Sequence, residues 1–131
     1  MTGLRLVVLY VSDLQASLSF YRSCGLALVP ERHGSGPRHY SADLGGVVLE
    51  LYPRGSRPPT RTRLELEVDS VGGVSAALAA AGFIDDTVLA ITDRAPDAIN
   101  GEPYVPNAVT KCRLVLSDPD GNSVGLSEPT S

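Results

Sequence analysis

Residues 11–26 read VSDLQASLSFYRSCGL, and the way this stretch folds decides the architecture. Ser12 or Asp13 supplies the N-cap, Leu14, Leu18 and Tyr21 form an apolar stripe at helical spacing, and Gly25 is a stop. The stretch therefore predicts one amphipathic helix. The residues leading into it, LRLVVLYV from Leu4 to Val11, are β-branched and aliphatic and predict a strand. The plan then recurs: Val11 is matched by Val68, Asp13 by Ser70, Tyr21 by Leu78, Gly25 by Gly82 and Leu26 by Phe83, all at one ungapped offset of 57. Short aliphatic matches arise by chance, whereas a single offset aligning cap, stripe and stop marks an internal repeat.

Working outward, LALVPE, RHYSADL and VVLELY predict short strands, the last two joined at Gly45-Gly46, a pair that adopts the positive φ of a tight hairpin. The second copy offers the strand RLELEV, the helix SVGGVSAALAAAG, the strand FIDDTVLA, and CRLVLSD and SVGLSE around the turn DPDG. The closing hairpins align at an offset of 75, through Gly46 and Gly121, Leu49 and Val124, Leu51 and Leu126, so the second copy holds 18 more residues. These fall in the loop 91–111, where Pro96, Pro103 and Pro106 oppose regular structure and Tyr104 is the aromatic that could cap a pocket. The modules span 4–53 and 62–128, joined by a Pro/Arg-rich linker, 54–61.

A chain of 131 residues with 43% hydrophobic content is expected to form a single domain, 1–131, around a real core. Trp is absent and aromatics make up 5%, so a pocket must be built from aliphatic, Tyr and charged side chains. A net charge of −4 and a pI near 5.0 argue against a nucleic-acid partner, which needs clustered Lys and Arg. The arginines at 54, 57, 61 and 63 are interrupted by Pro58 and Pro59 and belong to a solvated linker. Cys24 and Cys112 have no metal-type spacing, no charged n-region precedes an apolar run, and nothing approaches the ~20 apolar residues that span a bilayer. The expectation is a cytoplasmic protein with reduced thiols and no membrane partner.

The paired βαβββ modules, VSDLQASLSFYRSCGL after the first strand and DPDGNSVGL near the end resemble the vicinal oxygen chelate superfamily. It includes glyoxalase I, extradiol dioxygenases, thiol-transferring fosfomycin resistance enzymes and bleomycin-binding resistance proteins. The likeness runs from about residue 4 to 128. It implies an α+β fold, two tandem βαβββ modules forming a curved mixed sheet with a concave cup, and a homodimer whose cups draw on both chains. It also implies metal ligands at inward positions of the first and last strand of each module, which by register are Leu6, Glu50, Arg63 and Gly125. Leu and Gly offer no donor and a guanidinium repels a cation, so only Glu50 fits, and no metal or cofactor is expected there. Asp118 and Asp120 suit a type I turn rather than acid or base work. His33 and His39, flanking HGSGPRH, could ligate something, but the favoured reading is polar residues near a hairpin mouth.

In RTRLELEVD, residues 61–69, Leu64, Leu66 and Val68 alternate with Arg63, Glu65 and Glu67, so one face is core and the other charged. On the resembling fold the charged face lines the cup, with Leu6, Val8 and Tyr10 from the first strand, Val48, Glu50 and Tyr52 from the fourth, and flat contact from Tyr40 and Tyr104. Arg63 and Glu50 are expected to pair there, because a half-buried carboxylate without a partner is costly. One function is sequestration of a small molecule, such as a natural-product antibiotic, by a metal-free protein with no catalytic residue. Another is a glyoxalase- or dioxygenase-like enzyme, metal-independent if Glu50 is the general base and Tyr10 or Tyr52 the acid. A scaffold module, marked by an exposed apolar patch without a cavity, is a third.

Overall fold

The computed structural model describes residues 1–84 and 113–129. In chain order the elements are β1 (Leu6–Val11), α1 (Leu14–Ser23), β2 (Val29–Glu31), β3 (His39–Asp43), β4 (Val48–Pro53), β5 (Arg63–Glu67), α2 (Val71–Ala80), β6 (Arg113–Ser117) and β7 (Ser123–Ser127). One mixed sheet has the order β1-β4-β3-β2 and the other β5-β7-β6. In each, the first strand of the module runs parallel to its last. This is an α+β fold of two βαβββ modules forming an open, curved sheet. The expected strand FIDDTVLA, beyond Phe83 and Ile84, and the expected loop with Tyr104 lie outside the described residues.

The repeat is visible in the backbone. Asp13 and Ser70 cap their helices by accepting from Ala16 N and Gly73 N. At the C-terminal ends Gly25 N donates to Arg22 O and Leu26 N to Tyr21 O, and Gly82 N to Ala79 O and Phe83 N to Leu78 O. These paired bonds close both helices with the same Schellman motif, which requires the positive φ of 97° at Gly25 and 85° at Gly82. LALVPE yields only a three-residue strand, because Leu26 and Leu28 turn into the core instead of continuing along the sheet.

Strand parity separates the two faces of the first sheet. Leu9, Val11, Leu49 and Leu51 are buried against α1, whereas Val8, Tyr10, Glu50 and Tyr52 are only half-buried on the other face. A single hydrophobic cluster continues from there through Val71 and Leu78 of α2 to Leu114, Leu116, Val124 and Leu126. Each large side chain buried in it contributes roughly 1.5–3 kcal/mol relative to exposure. Phe20 joins the modules, edge-on to Tyr21 at 5.0 Å and to Phe83 at 5.3 Å.

Polar contacts join them as well. Asp118, in the β6–β7 turn, accepts from the Tyr21 hydroxyl of α1 at 2.5 Å, and Ser12 N donates to Asp120. Thr60 of the linker pairs with the outer edge of β1, its N donating to Tyr10 O and its Oγ1 accepting from Tyr10 N, both at 2.8 Å. No helix among the described residues is long and apolar enough to cross a membrane.

Candidate functional site

The open face of the first sheet is built from three adjacent cross-strand pairs, Leu6 with Val48, Val8 with Glu50 and Tyr10 with Tyr52. Parallel pairing of β1 and β4 stacks one aliphatic step and one Val–Glu step behind an aromatic one. The Tyr10 and Tyr52 rings lie 6.1 Å apart at 55°, and the Arg57 guanidinium sits 4.2 Å above the Tyr10 ring, a cation–π contact. An open depression of ≈ 460 Å³ is lined by Tyr10, Pro37, Tyr52, Arg54 and Arg57 among others. Lost hydration, and then the adjacent Glu50 carboxylate, push the Tyr52 phenol above its ordinary value, so it stays a hydroxyl able to donate. A larger hollow of ≈ 680 Å³, bounded by Leu26, Leu44, Glu65, Glu67 and Asp69, contains none of these aromatics.

Tyr40 does not join this face. It pairs with Leu51, is 7% exposed among core side chains, and has the Arg22 guanidinium carbon 5.5 Å from its ring. Because β3 begins at His39, strand parity turns His39 and Ser41 towards the cup and Tyr40 towards α1. Tyr104 lies outside the described residues.

The expected ion pair between Arg63 and Glu50 does not form. Arg63 Nη2 instead lies 2.6 Å from Glu65 Oε1, and Arg113 donates to the same oxygen. Glu50 sits 3.3 Å from His39 Nε2. The two charges stand on different sheets, and the carboxylate two residues along its own strand is the nearer partner for Arg63. The hydrogen bond from Arg63, reinforced by the charge of Arg113, holds the Glu65 carboxyl below its ordinary range.

Of the four positions that correspond to the resembling family's metal ligands, three do not suit an ion. Leu6 is 48% exposed and has no donor, and Arg63 is engaged with Glu65. At Gly125 an added Cβ would lie 2.0 Å from Glu65 Oε2, so the space a ligand side chain would fill already holds this carboxylate. Register explains the substitution, since Glu65 and Gly125 are direct partners in the β5–β7 ladder.

One convergence escaped the sequence reading, which named His33 and His39 but did not place the carboxylates beside them. Glu31, His33, His39 and Glu50 each bring one donor atom within 4.8 Å of the others. Glu31 and His39 are direct partners across the β2–β3 hairpin, and the His39 ring stacks on Tyr52 at 4.0 Å and 11°. Rather than a polar residue at a hairpin mouth, His39 is 1% exposed. The available signal was the spacing in ERHGSGPRH, where Glu31 and His33 alternate on one strand end and the turn returns the chain to His39.

The family model described as "Glyoxalase/Bleomycin resistance protein/Dioxygenase superfamily" matches residues 3–126. Among solved structures, the antibiotic binding protein TnmS3 from Streptomyces sp. CB03234 is 25% identical, with a TM-score of 0.62 over 99% of this chain and 98% of that one. The oxidase ChaP-H1 is 21% identical, with a TM-score of 0.62 over 99% of this chain and 98% of that one. A lactoylglutathione lyase from Agrobacterium tumefaciens is 20% identical, with a TM-score of 0.55 over 98% of this chain and 94% of that one. No curated protein sequence matches the chain significantly.

Proposed function

Because the chain belongs to the glyoxalase/bleomycin resistance protein/dioxygenase superfamily, we propose that it is a small-molecule-binding protein whose ligand, a natural-product antibiotic, is held on the open face of the first sheet. The observation that carries this reading is the loss of three of the superfamily's four metal positions, with Glu65 folded over Gly125 and tied to Arg63 and Arg113. Sequestration needs concavity, apolar area and a few convergent polar groups, and the row from Leu6 to Tyr52 supplies them. The Tyr10 and Tyr52 rings offer flat contact in place of the missing Trp, and Glu50 suits a ligand amine or hydroxyl. The likeness to TnmS3 supports the same reading.

The functional unit in this proposal is a cytoplasmic homodimer, in which a second chain covers apolar surface such as Leu6 and Val115, 48% and 55% exposed in the single chain. Native mass spectrometry of the protein mixed with a panel of natural-product antibiotics tests both points. A dimer that shifts in mass and releases the compound unaltered is the expected result. Compounds that leave the mass unchanged across the panel, or a strictly monomeric protein, would sink the corresponding claim.

One observation favours an enzyme as the second reading: Glu50, with its side chain 12% exposed, stands beside a phenol that stays protonated, an arrangement suited to paired base and acid. Turnover of a bound compound that disappears in Glu50→Gln would put this reading ahead.

A further inference from the structure

The geometry points to a divalent transition-metal site formed by Glu31, His33, His39 and Glu50, which shares only Glu50 with the superfamily's metal positions and with the ligand-binding face proposed above. The donor set is two imidazoles and two carboxylates, drawn from β2, the turn after it, β3 and β4. His39 Nε2 lies 3.3 Å from Glu31 Oε2 and 3.3 Å from Glu50 Oε2, and His33 Nε2 lies 3.5 Å from Glu31 Oε2. An ion bound tetrahedrally at about 2.0–2.1 Å separates its ligand atoms by about 3.3–3.4 Å. The three measured separations thus match three edges of such a tetrahedron, the remaining ones lie within 4.8 Å, and rotation of exposed His33 adjusts the two of them that include it.

The second observation is the state of His39. Its Nδ1 lies 3.3 Å from Pro37 O, so the proton on that nitrogen is held by a backbone carbonyl and the ring is oriented as metal-bound imidazoles usually are. Its Nε2 is fully buried and forms no hydrogen bond, although two carboxylate oxygens face it. A nitrogen lone pair directed at carboxylate lone pairs is repulsive, and buried polar atoms are seldom left without partners. A cation between them removes both problems.

Among the described residues, no lysine or arginine forms an ion pair with Glu31 or Glu50. Tyr52, stacked on His39, fixes the plane of the ring. The side-chain exposures rise from 1% at His39 through 12% at Glu50 and 37% at Glu31 to 74% at His33, which describes a floor, walls and a way in from solvent. Mixed nitrogen and oxygen donors favour Zn²⁺, Ni²⁺ or Co²⁺ over Mg²⁺ and Ca²⁺, which prefer oxygen alone.

The alternative occupant is a proton, making His39 an imidazolium between two carboxylates. Calorimetric titration of tag-free, chelator-stripped protein with Zn²⁺ and Ni²⁺, followed by metal analysis after gel filtration, separates the two. The expected result is one saturable ion per chain, with no competition from Mg²⁺ or Ca²⁺. His33→Ala should weaken it by at least ~10-fold, as loss of a ligand must cost no less than loss of the groups that orient one. His39→Ala opens a buried site, so Glu31→Gln, at a half-buried position, is the second variant, and far-ultraviolet circular dichroism confirms that each variant folds. Absence of saturable binding, or binding undiminished in both variants, would overturn the assignment and leave the proton. Since no organic ligand enters the measurement, its failure would not count against sequestration, nor the reverse.

Discussion

At Asp118 four donors converge on one carboxylate. Oδ1 accepts from Asp120 N at 2.9 Å and Asn122 N at 2.8 Å, while Oδ2 accepts from Asn122 Nδ2 at 2.8 Å and the Tyr21 hydroxyl at 2.5 Å. Burial first, and then this carboxylate, drive the Tyr21 phenol far above its ordinary value, so it remains a donor at any physiological pH. Tyr21→Phe leaves a buried acceptor short of one partner and should lower stability by roughly 1–3 kcal/mol, read as a fall in denaturant midpoint at constant slope. An unchanged midpoint would mean that water replaces the phenol. Close by, burial and the Asp118 charge push the Cys24 thiol up to about 12. In a Cys112→Ser background, native protein at pH 8 should therefore resist iodoacetamide until denaturant is added. Glu65 behaves in the opposite sense: its folded value is depressed, so its contribution to stability is present above the ordinary carboxylate value and fades as pH falls through the folded one. By NMR its carboxyl should titrate below an ordinary glutamate, and move back up in Arg113→Ala.

Among elements, the duplicated helix endings carry a clear cost. Ala at Gly25 or Gly82 would have to hold the left-handed backbone these stops need, and each substitution should cost about 1–2 kcal/mol in chemical denaturation. Equal losses at both sites would show the repeat in energies as well as coordinates. Caps, stops and the Gly45-Gly46 hairpin were legible in the sequence because their chemistry is local. The rows of Leu6, Val8 and Tyr10 and of Val48, Glu50 and Tyr52 were legible because strand parity fixes them once each strand is located. Tyr40 was not, since its face depends on the length of the turn that starts β3. The partner of Arg63 was not, since it depends on how two sheets sit against each other. The cluster at Glu31, His33, His39 and Glu50 combines both difficulties: it needs the register of one hairpin and a residue from a third strand.

For the molecule as a whole, Phe20 against Phe83 and Tyr21 on Asp118 tie each module to the other's core. A single cooperative unfolding transition is the expected outcome, with near- and far-ultraviolet signals coincident; two separate transitions would show that the modules are independent. The stitched outer edge of β1 has a different consequence, for behaviour at high concentration. An unpaired strand edge is a template on which other chains polymerise, and folded proteins survive crowding by blunting such edges. Here Thr60 occupies both backbone groups of Tyr10, while at the far end of the same sheet β2 is three residues long and contains Pro30. Both borders thus carry a device that shortens the stretch open to pairing. Thr60→Ala, which removes the hydroxyl acceptor, should speed thioflavin-positive fibre growth on mild heating, because it leaves the Tyr10 amide free to pair with the edge of another chain.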